Sequence, residues 1–203
     1  TYADLVFGLK LVFPEFPSEN VGKSVTFKST LLNICQNEFE HRPTSLEPTA
    51  EETAKYDAGE LEFRRKQTKD RVLANMKLIG HLFLRQLLSA KVIGAIISEL
   101  TLCSSADKVP QDHVTECAVE LILSIGYTLE SMPAGQSALQ QVCGRLKDLK
   151  TKKGPDGKGV YCKRIQFAIQ DLLDVRRAGW TKKVFGGVAK TKEEIRLDQQ
   201  KDM

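Results

Sequence analysis

The sequence predicts an all-α protein made of antiparallel helix pairs, and three observations carry this prediction. Apolar residues recur every three or four positions in most segments, which is the spacing of one face of a helix. Of the 203 residues, 7% are aromatic and 28% charged, a balance that favours helices over a strand-rich sandwich. Helix pairs are predicted to start near Asp70, Gln111 and Val160, so the pattern repeats after about 40 to 50 residues, close to the period of HEAT-type repeats.

The N-terminal third is predicted to hold two helices and a loop. A helix over 5–12 is stopped by the prolines at 14 and 17, because proline disfavours helix at the residue before it. A second helix, over 23–39, has one apolar face. From 41 to about 56 the residues are mainly Pro, Thr, Ser and Glu with little apolar periodicity, which predicts a flexible acidic loop.

The remaining chain is predicted to form five helices in succession. The first runs from Ala58 to Leu88, and Ser89 caps the second. After a polar break at 103–110, a third helix has an apolar stripe that Gly126 closes, and a fourth follows Pro133. A turn-rich segment at 152–159 precedes the last helix, which runs on to Trp180.

These helices predict a single HEAT-like helical-hairpin solenoid domain over 1–203, a crescent of antiparallel helix pairs. Each pair exposes an apolar face, so neighbouring pairs must stack to cover it. A helical bundle of the same helices is the structural alternative.

No catalytic, metal or cofactor site is predicted. The chain has only three histidines, at 41, 81 and 113, and five cysteines without a C-x-x-C pair. His113 and Cys117 are four residues apart but lack further ligands at a recognisable spacing. The glycine-rich segment at 154–159 lacks the spacing of a phosphate loop, and Asp171 with Asp174 fits a solvated helix face. No run approaches the ~18 apolar residues of a membrane span, so no membrane partner is expected.

Charge is distributed unevenly along the chain. Residues 38–62 carry eight acids and two bases, whereas 144–192 carries fourteen bases and four acids. A basic block of this kind attracts phosphates or an acidic protein surface, and a solvated helical surface is the alternative. The bases expected to contact RNA are Lys152, Lys153, Lys163, Arg164, Lys182 and Lys183.

Four motifs carry a family resemblance. They begin with Phe27, Leu31-Leu32-Asn33, Cys35-Gln36 and Glu38-Phe39-Glu40, followed by the segment 75–83, which reads Asn-Met-Lys-Leu-Ile-Gly-His-Leu-Phe. Segment 164–180, from Arg164 to Trp180, and Lys190-Thr191-Lys192 with Ile195 complete the set. In this order the motifs resemble the middle domain of eukaryotic translation initiation factor 4 gamma. Two departures stand out: His81 replaces an acidic residue of the family, and the family's first helical pair is missing at the N-terminus.

The resemblance implies a non-enzymatic, cytoplasmic scaffold for translation initiation. Its partner would be a DEAD-box RNA helicase, initiation factor 4A, whose two lobes it would hold near their productive spacing. RNA would be a second partner, and cap-binding protein and poly(A)-binding protein would bind other parts of the parent chain. The alternatives are a related adaptor in messenger RNA decay, splicing or cap binding, and a mainly RNA-binding module.

The residues expected to contact the helicase lie in the matched motifs. On the long helix, Asn75, Lys77 and Arg85 fall away from the apolar stripe and face solvent or neighbouring loops. An earlier set and a C-terminal set complete the prediction: Asn33, Gln36, Phe39, Arg176, Arg177 and Trp180. Two of these residues have a second interpretation. Phe39, at the end of its helix, fits the core equally well, and Trp180 fits a residue that covers the end of the helical array.

Overall fold

The computed structural model describes residues 2–17, 24–43, 45–105, 107–155 and 157–181. Eight helices lie in this part of the chain: α1 Tyr2–Val12, α2 Phe27–Glu40, α3 Ala50–Lys55, α4 Ala58–Leu84, α5 Ala90–Leu100, α6 Asp112–Glu130, α7 Pro133–Thr151 and α8 Lys163–Arg177. Two short strands, β1 Phe16–Pro17 and β2 Ser24–Val25, pair antiparallel. The all-α prediction is confirmed, with this small ladder as an addition to it.

Helices α4 to α8 form two layers. Helix α6 packs between α4 and α8 in one layer, while α5 packs against α7 in the other. Glu116 binds Lys69 near the start of this layer, and Gly80 lies against Leu121 and Ile125 further along, so α4 and α6 run in the same direction. This stacking of consecutive helix pairs is the predicted solenoid.

The core follows the stripes predicted from the sequence. Helix α6 contacts α4, α5, α7 and α8, and its Leu121, Ile122 and Ile125 are fully buried. Val72 and Met76 of α4 are buried in the same cluster. Because apolar residues at a three-four spacing form a single stripe, each helix turns one side toward the neighbouring layer.

Side chains close several helix ends. Ser89 Oγ accepts a hydrogen bond from the backbone nitrogen of Val92, so the predicted cap of α5 is confirmed. Thr26 and Ser29 form a reciprocal capping box at the start of α2, and Asp57 caps α4. These caps satisfy backbone N–H groups that have no partner within the helix.

Several boundaries differ from the prediction. The helix predicted over 23–39 begins at Phe27, because Ser24 and Val25 form β2. Helix α4 ends at Leu84, because Gln86 adopts a positive φ of 58°. Helix α6 continues to Glu130, so Gly126 is not a helix end. The segment predicted as a loop contains α3, which Thr49 caps. The last helix ends at Arg177, three residues before Trp180. None of the helices in the described part is both long and apolar enough to cross a membrane.

Candidate interaction surfaces

A groove between α2 and α5 brings together three of the predicted contact residues. It has a volume of ≈ 470 Å³, and we name it the α2–α5 groove. Its lining comprises Leu32, Asn33, Cys35, Gln36, Phe39, Glu40, Leu88, Val92, Ala95, Ile96 and Glu99. Asn33 and Gln36 are exposed at its edge, where Gln36 donates a hydrogen bond to Glu40 at 2.7 Å. The groove thus has an apolar floor and a polar edge.

Phe39 forms part of the floor of this groove. Its side chain is only 5% exposed, and the Arg42 guanidinium lies 3.9 Å from the centre of its ring. Arg42 also pairs with Glu99 at 3.1 Å, which ties the end of α2 to α5. Phe39 therefore supports the shape of the groove and offers little surface of its own to a partner.

The three predicted contact residues of α4 have different surroundings. Lys77 is exposed. Asn75 is half-buried and donates a hydrogen bond to Glu38 of α2 at 3.2 Å. Arg85 donates to Asp4 of α1 at 2.7 Å. Asn75 and Arg85 thus join α4 to the N-terminal helices, which leaves Lys77 as the one of the three that is presented to solvent.

Glu116, in the first turns of α6, links three helices. Its carboxylate pairs with Lys69 of α4 at 2.8 Å and with Arg164 of α8. Burial alone would raise the pKa of Glu116, but the hydrogen bonds from Arg164 and Lys69 outweigh it and hold that pKa below its usual value. Arg164, predicted to contact RNA, therefore has a carboxylate partner within the chain.

The C-terminal cluster is built around Glu130. Arg176 donates two hydrogen bonds to one oxygen of this carboxylate, at 3.0 and 2.7 Å, and the Trp180 indole donates to the other at 2.5 Å. The indole lies on Gly126, where an added Cβ would come within 2.1 Å of the ring. Arg176 and Trp180 thus fasten the end of α8 to α6, whereas Arg177 is exposed and pairs with Asp174 at 2.9 Å.

The predicted RNA-contacting lysines lie around the turn between α7 and α8. Lys153 and Lys163 are exposed, and the ammonium of Lys152 donates to the carbonyl of Asp107 at 3.1 Å. Lys182 and Lys183 lie outside the described residues, as does the motif at 190–195. The turn thus presents exposed basic side chains at Lys153 and Lys163.

Two exposed aromatic residues were missed by the sequence analysis. Phe167 of α8 is 65% exposed and Tyr127 of α6 is 73% exposed. Both belong to the layer that also presents Lys77, and we call these three residues the outer face. The sequence pattern could have predicted their exposure, since Phe167 and Tyr127 lie off the buried stripes of their helices. Large exposed aromatic side chains are common anchors of protein interfaces.

The histidine and cysteine considered as metal ligands are buried. The Nε2 atom of His113 lies 3.5 Å from the carbonyl oxygen of Pro43, and burial lowers the pKa of this imidazole. Burial raises the pKa of Cys117 to about 11, so its thiol is protonated at neutral pH. A protonated thiol is a poor metal ligand and nucleophile.

Comparison with known proteins matches the MIF4G domain over residues 1–178. The chain is 29% identical to eukaryotic translation initiation factor 4 gamma of Dictyostelium discoideum over 92% of its length, and 28% identical to eukaryotic translation initiation factor 4G of Arabidopsis thaliana over 97%. It is 30% identical to eukaryotic translation initiation factor 4 gamma 1 of Mus musculus over 77%. The chain spans only 10 to 13% of these relatives. The resemblance found in the motifs is confirmed, and the chain belongs to the MIF4G domain family.

Proposed function

We propose that this chain is a scaffold of translation initiation that binds and stimulates the DEAD-box helicase initiation factor 4A. The observation that carries the proposal is the family match over most of the chain, since the matched relatives are named as initiation factors. A scaffold of this kind accelerates ATP hydrolysis without a catalytic residue, because it holds two lobes near the closed arrangement. The proposal includes a cytoplasmic location for this function.

Two separate surfaces suit a partner with two lobes. The α2–α5 groove offers an apolar floor with Asn33 and Gln36 at its edge. The outer face offers Lys77 with Tyr127 and Phe167 on the α4–α6–α8 layer. If each surface binds one lobe, the two lobes move less relative to each other than with a single contact. Binding of one lobe limits the orientations that the second lobe can adopt.

The experiment measures phosphate release by purified initiation factor 4A with RNA and ATP as this chain is added. The test variant is Phe167→Ala with Lys77→Ala, and we expect it to weaken stimulation about tenfold. Its matched control is Phe63→Ala with Lys66→Ala, which changes one exposed phenylalanine and one exposed lysine in the first part of α4. The proposal is wrong if the wild-type chain binds the helicase without changing its rate of ATP hydrolysis. If both variants stimulate the helicase equally, the outer face is not the contact surface.

RNA contact is the second proposed property, and the exposed Lys153 and Lys163 favour it. Binding of this kind is set by the release of counterions, so affinity should fall steeply with salt. We expect Lys153→Gln with Lys163→Gln to reduce the slope of log affinity against log salt by about two. A mainly RNA-binding module would bind equally well without the helicase and leave its ATPase rate unchanged.

A further inference from the structure

A groove between α7 and α8 lies outside the α2–α5 groove and the outer face, the two surfaces of the proposed helicase contacts. It lies beside the C-terminal part of both helices and has a volume of ≈ 440 Å³. We call it the basic groove, and its lining comprises Glu130, Lys147, Lys150, Thr151, Gln170, Leu173, Arg176 and Arg177. Four of these eight residues are basic and one is acidic. Because Arg176 pairs with Glu130 and Arg177 pairs with Asp174, the remaining positive charge of the lining belongs to Lys147 and Lys150. The groove therefore attracts negative charge.

The acidic residue does little to neutralise the lysines of the groove. Both oxygens of Glu130 are already engaged, by Arg176 and by the Trp180 indole. Lys147 is exposed and has no carboxylate partner among the described residues, and Lys150 donates only to the neutral amide of Gln170. By contrast, Lys69 and Arg164 share the carboxylate of Glu116. Within the described part of the chain, no carboxylate neutralises these two lysines of α7, so both can attract an anionic partner.

The other residues that line the groove favour an acidic peptide over RNA as its ligand. Leu173 is half-buried in the wall contributed by α8, and Gln170 lies one turn before it. No aromatic side chain occurs among the residues that line the groove, so bases would have no platform for stacking. An apolar side chain can cover Leu173 while carboxylates meet Lys147 and Lys150, whose aliphatic stems also accept apolar contact.

We propose that the basic groove is a docking site for an acidic peptide segment of a partner protein, with one apolar residue placed on Leu173. This site is distinct from the outer face. Phe167 and Leu173 are six residues apart, which separates them by about 120° around α8. The chain therefore holds an acidic partner and a ligand of the outer face at the same time.

The test uses fluorescence anisotropy with the whole chain and a short labelled peptide composed of Glu, Asp and Leu. The test variant is Lys147→Glu with Lys150→Glu, and the matched control is Lys66→Glu with Lys91→Glu, which changes net charge equally at exposed positions of α4 and α5. We expect the test variant to weaken binding about tenfold and the control to weaken it about twofold or less. Lys147→Gln with Lys150→Gln should give an intermediate loss, and circular dichroism checks that each variant is folded.

Two further probes identify the class of ligand. A peptide with Gln and Asn in place of Glu and Asp should not bind, and Leu173→Ser should weaken binding of the acidic peptide. Labelled oligouridine should be insensitive to the change at Leu173. Equal losses in the test and control variants would overturn the proposal, because they would show an effect of net charge alone. So would tighter binding of oligouridine than of the peptide at this groove.

Discussion

Helices α6 and α1 are both rich in apolar residues but differ in how many neighbours cover them. Ten residues of α6 are buried among four surrounding helices. In α1 only Ala3 is buried, although Tyr2, Leu5 and Leu11 are among its many exposed apolar residues. Since apolar area stabilises a fold only when it leaves water, stability is concentrated around α6, and α1 is held mainly by α4.

The largest expected effect comes from matched leucine truncations in the two helices. Leu129→Ala in α6 opens a cavity at a fully buried site and should lower the free energy of unfolding by about 3 to 5 kcal/mol. Leu11→Ala in α1 removes a side chain that is 72% exposed and should change it by less than about 0.5 kcal/mol. Urea denaturation measures both. A loss at Leu11 as large as that at Leu129 would mean that the apolar surface of α1 is covered in solution.

The next effect concerns the attachment of α8 to α6. Gly126→Ala places a methyl group where the Trp180 ring lies, and we expect a loss of about 1 to 3 kcal/mol. Trp180 is the only tryptophan, so its emission should shift to the red as the ring moves into water. In a Trp180→Ala background the same change should be neutral or stabilising, because alanine is the better helix former by about 1 kcal/mol. An unchanged emission spectrum would contradict the contact.

The apolar stripes and Gly126 show which features of the fold could be predicted from the sequence. The stripes of α4 and α6 were predicted correctly, because the periodicity of apolar residues is a local signal that burial enforces. Gly126 was predicted to end a helix, and this was wrong. Glycine often ends a helix, but here its missing side chain makes room for a ring that lies far along the chain.

The interaction surfaces were harder to predict than the fold. The spacing of the apolar stripe predicted that Lys77 is exposed, which the structure shows, but it could not show that Arg176 and Trp180 share the carboxylate of Glu130. Such pairs join residues from different helices, and only the packing of α8 on α6 places them together. The exposure of Phe167 was predictable from the stripe of α8, since it lies opposite the buried positions.

A smaller effect should appear in how the free energy of unfolding depends on pH, because of His113 in α6. Burial lowers the pKa of His113, so the unfolded chain binds a proton at a higher pH than the folded one. Unfolding free energy should therefore fall as pH decreases from about 6.5 through that lowered pKa. Lys69 opposes protonation of the ring, whereas Asp112 and Glu116 favour it.

The measurement is urea denaturation between pH 7.5 and 5.5, with His113→Gln as the comparison. This variant should show a flatter dependence on pH over that interval. The contribution of Glu116 does not interfere, because its lowered pKa affects stability only as pH falls below the usual carboxylate value of about 4.5. An identical slope for the wild-type chain and the variant would show that His113 does not control this pH dependence.

The smallest effect tests the ion pair that links α1 to α4. Arg85 and Asp4 are partly exposed, so Arg85→Ala should lower the free energy of unfolding by only about 0.2 to 1 kcal/mol. Amide exchange in α1 should accelerate while exchange in α6 stays unchanged. Asp4→Asn should reproduce this pattern, and the two changes together should cost less than their sum, because they remove the same interaction. If Arg85→Ala weakens helicase binding but Asp4→Asn does not, Arg85 contacts the partner directly, whereas equal weakening would place its effect in the positioning of α1.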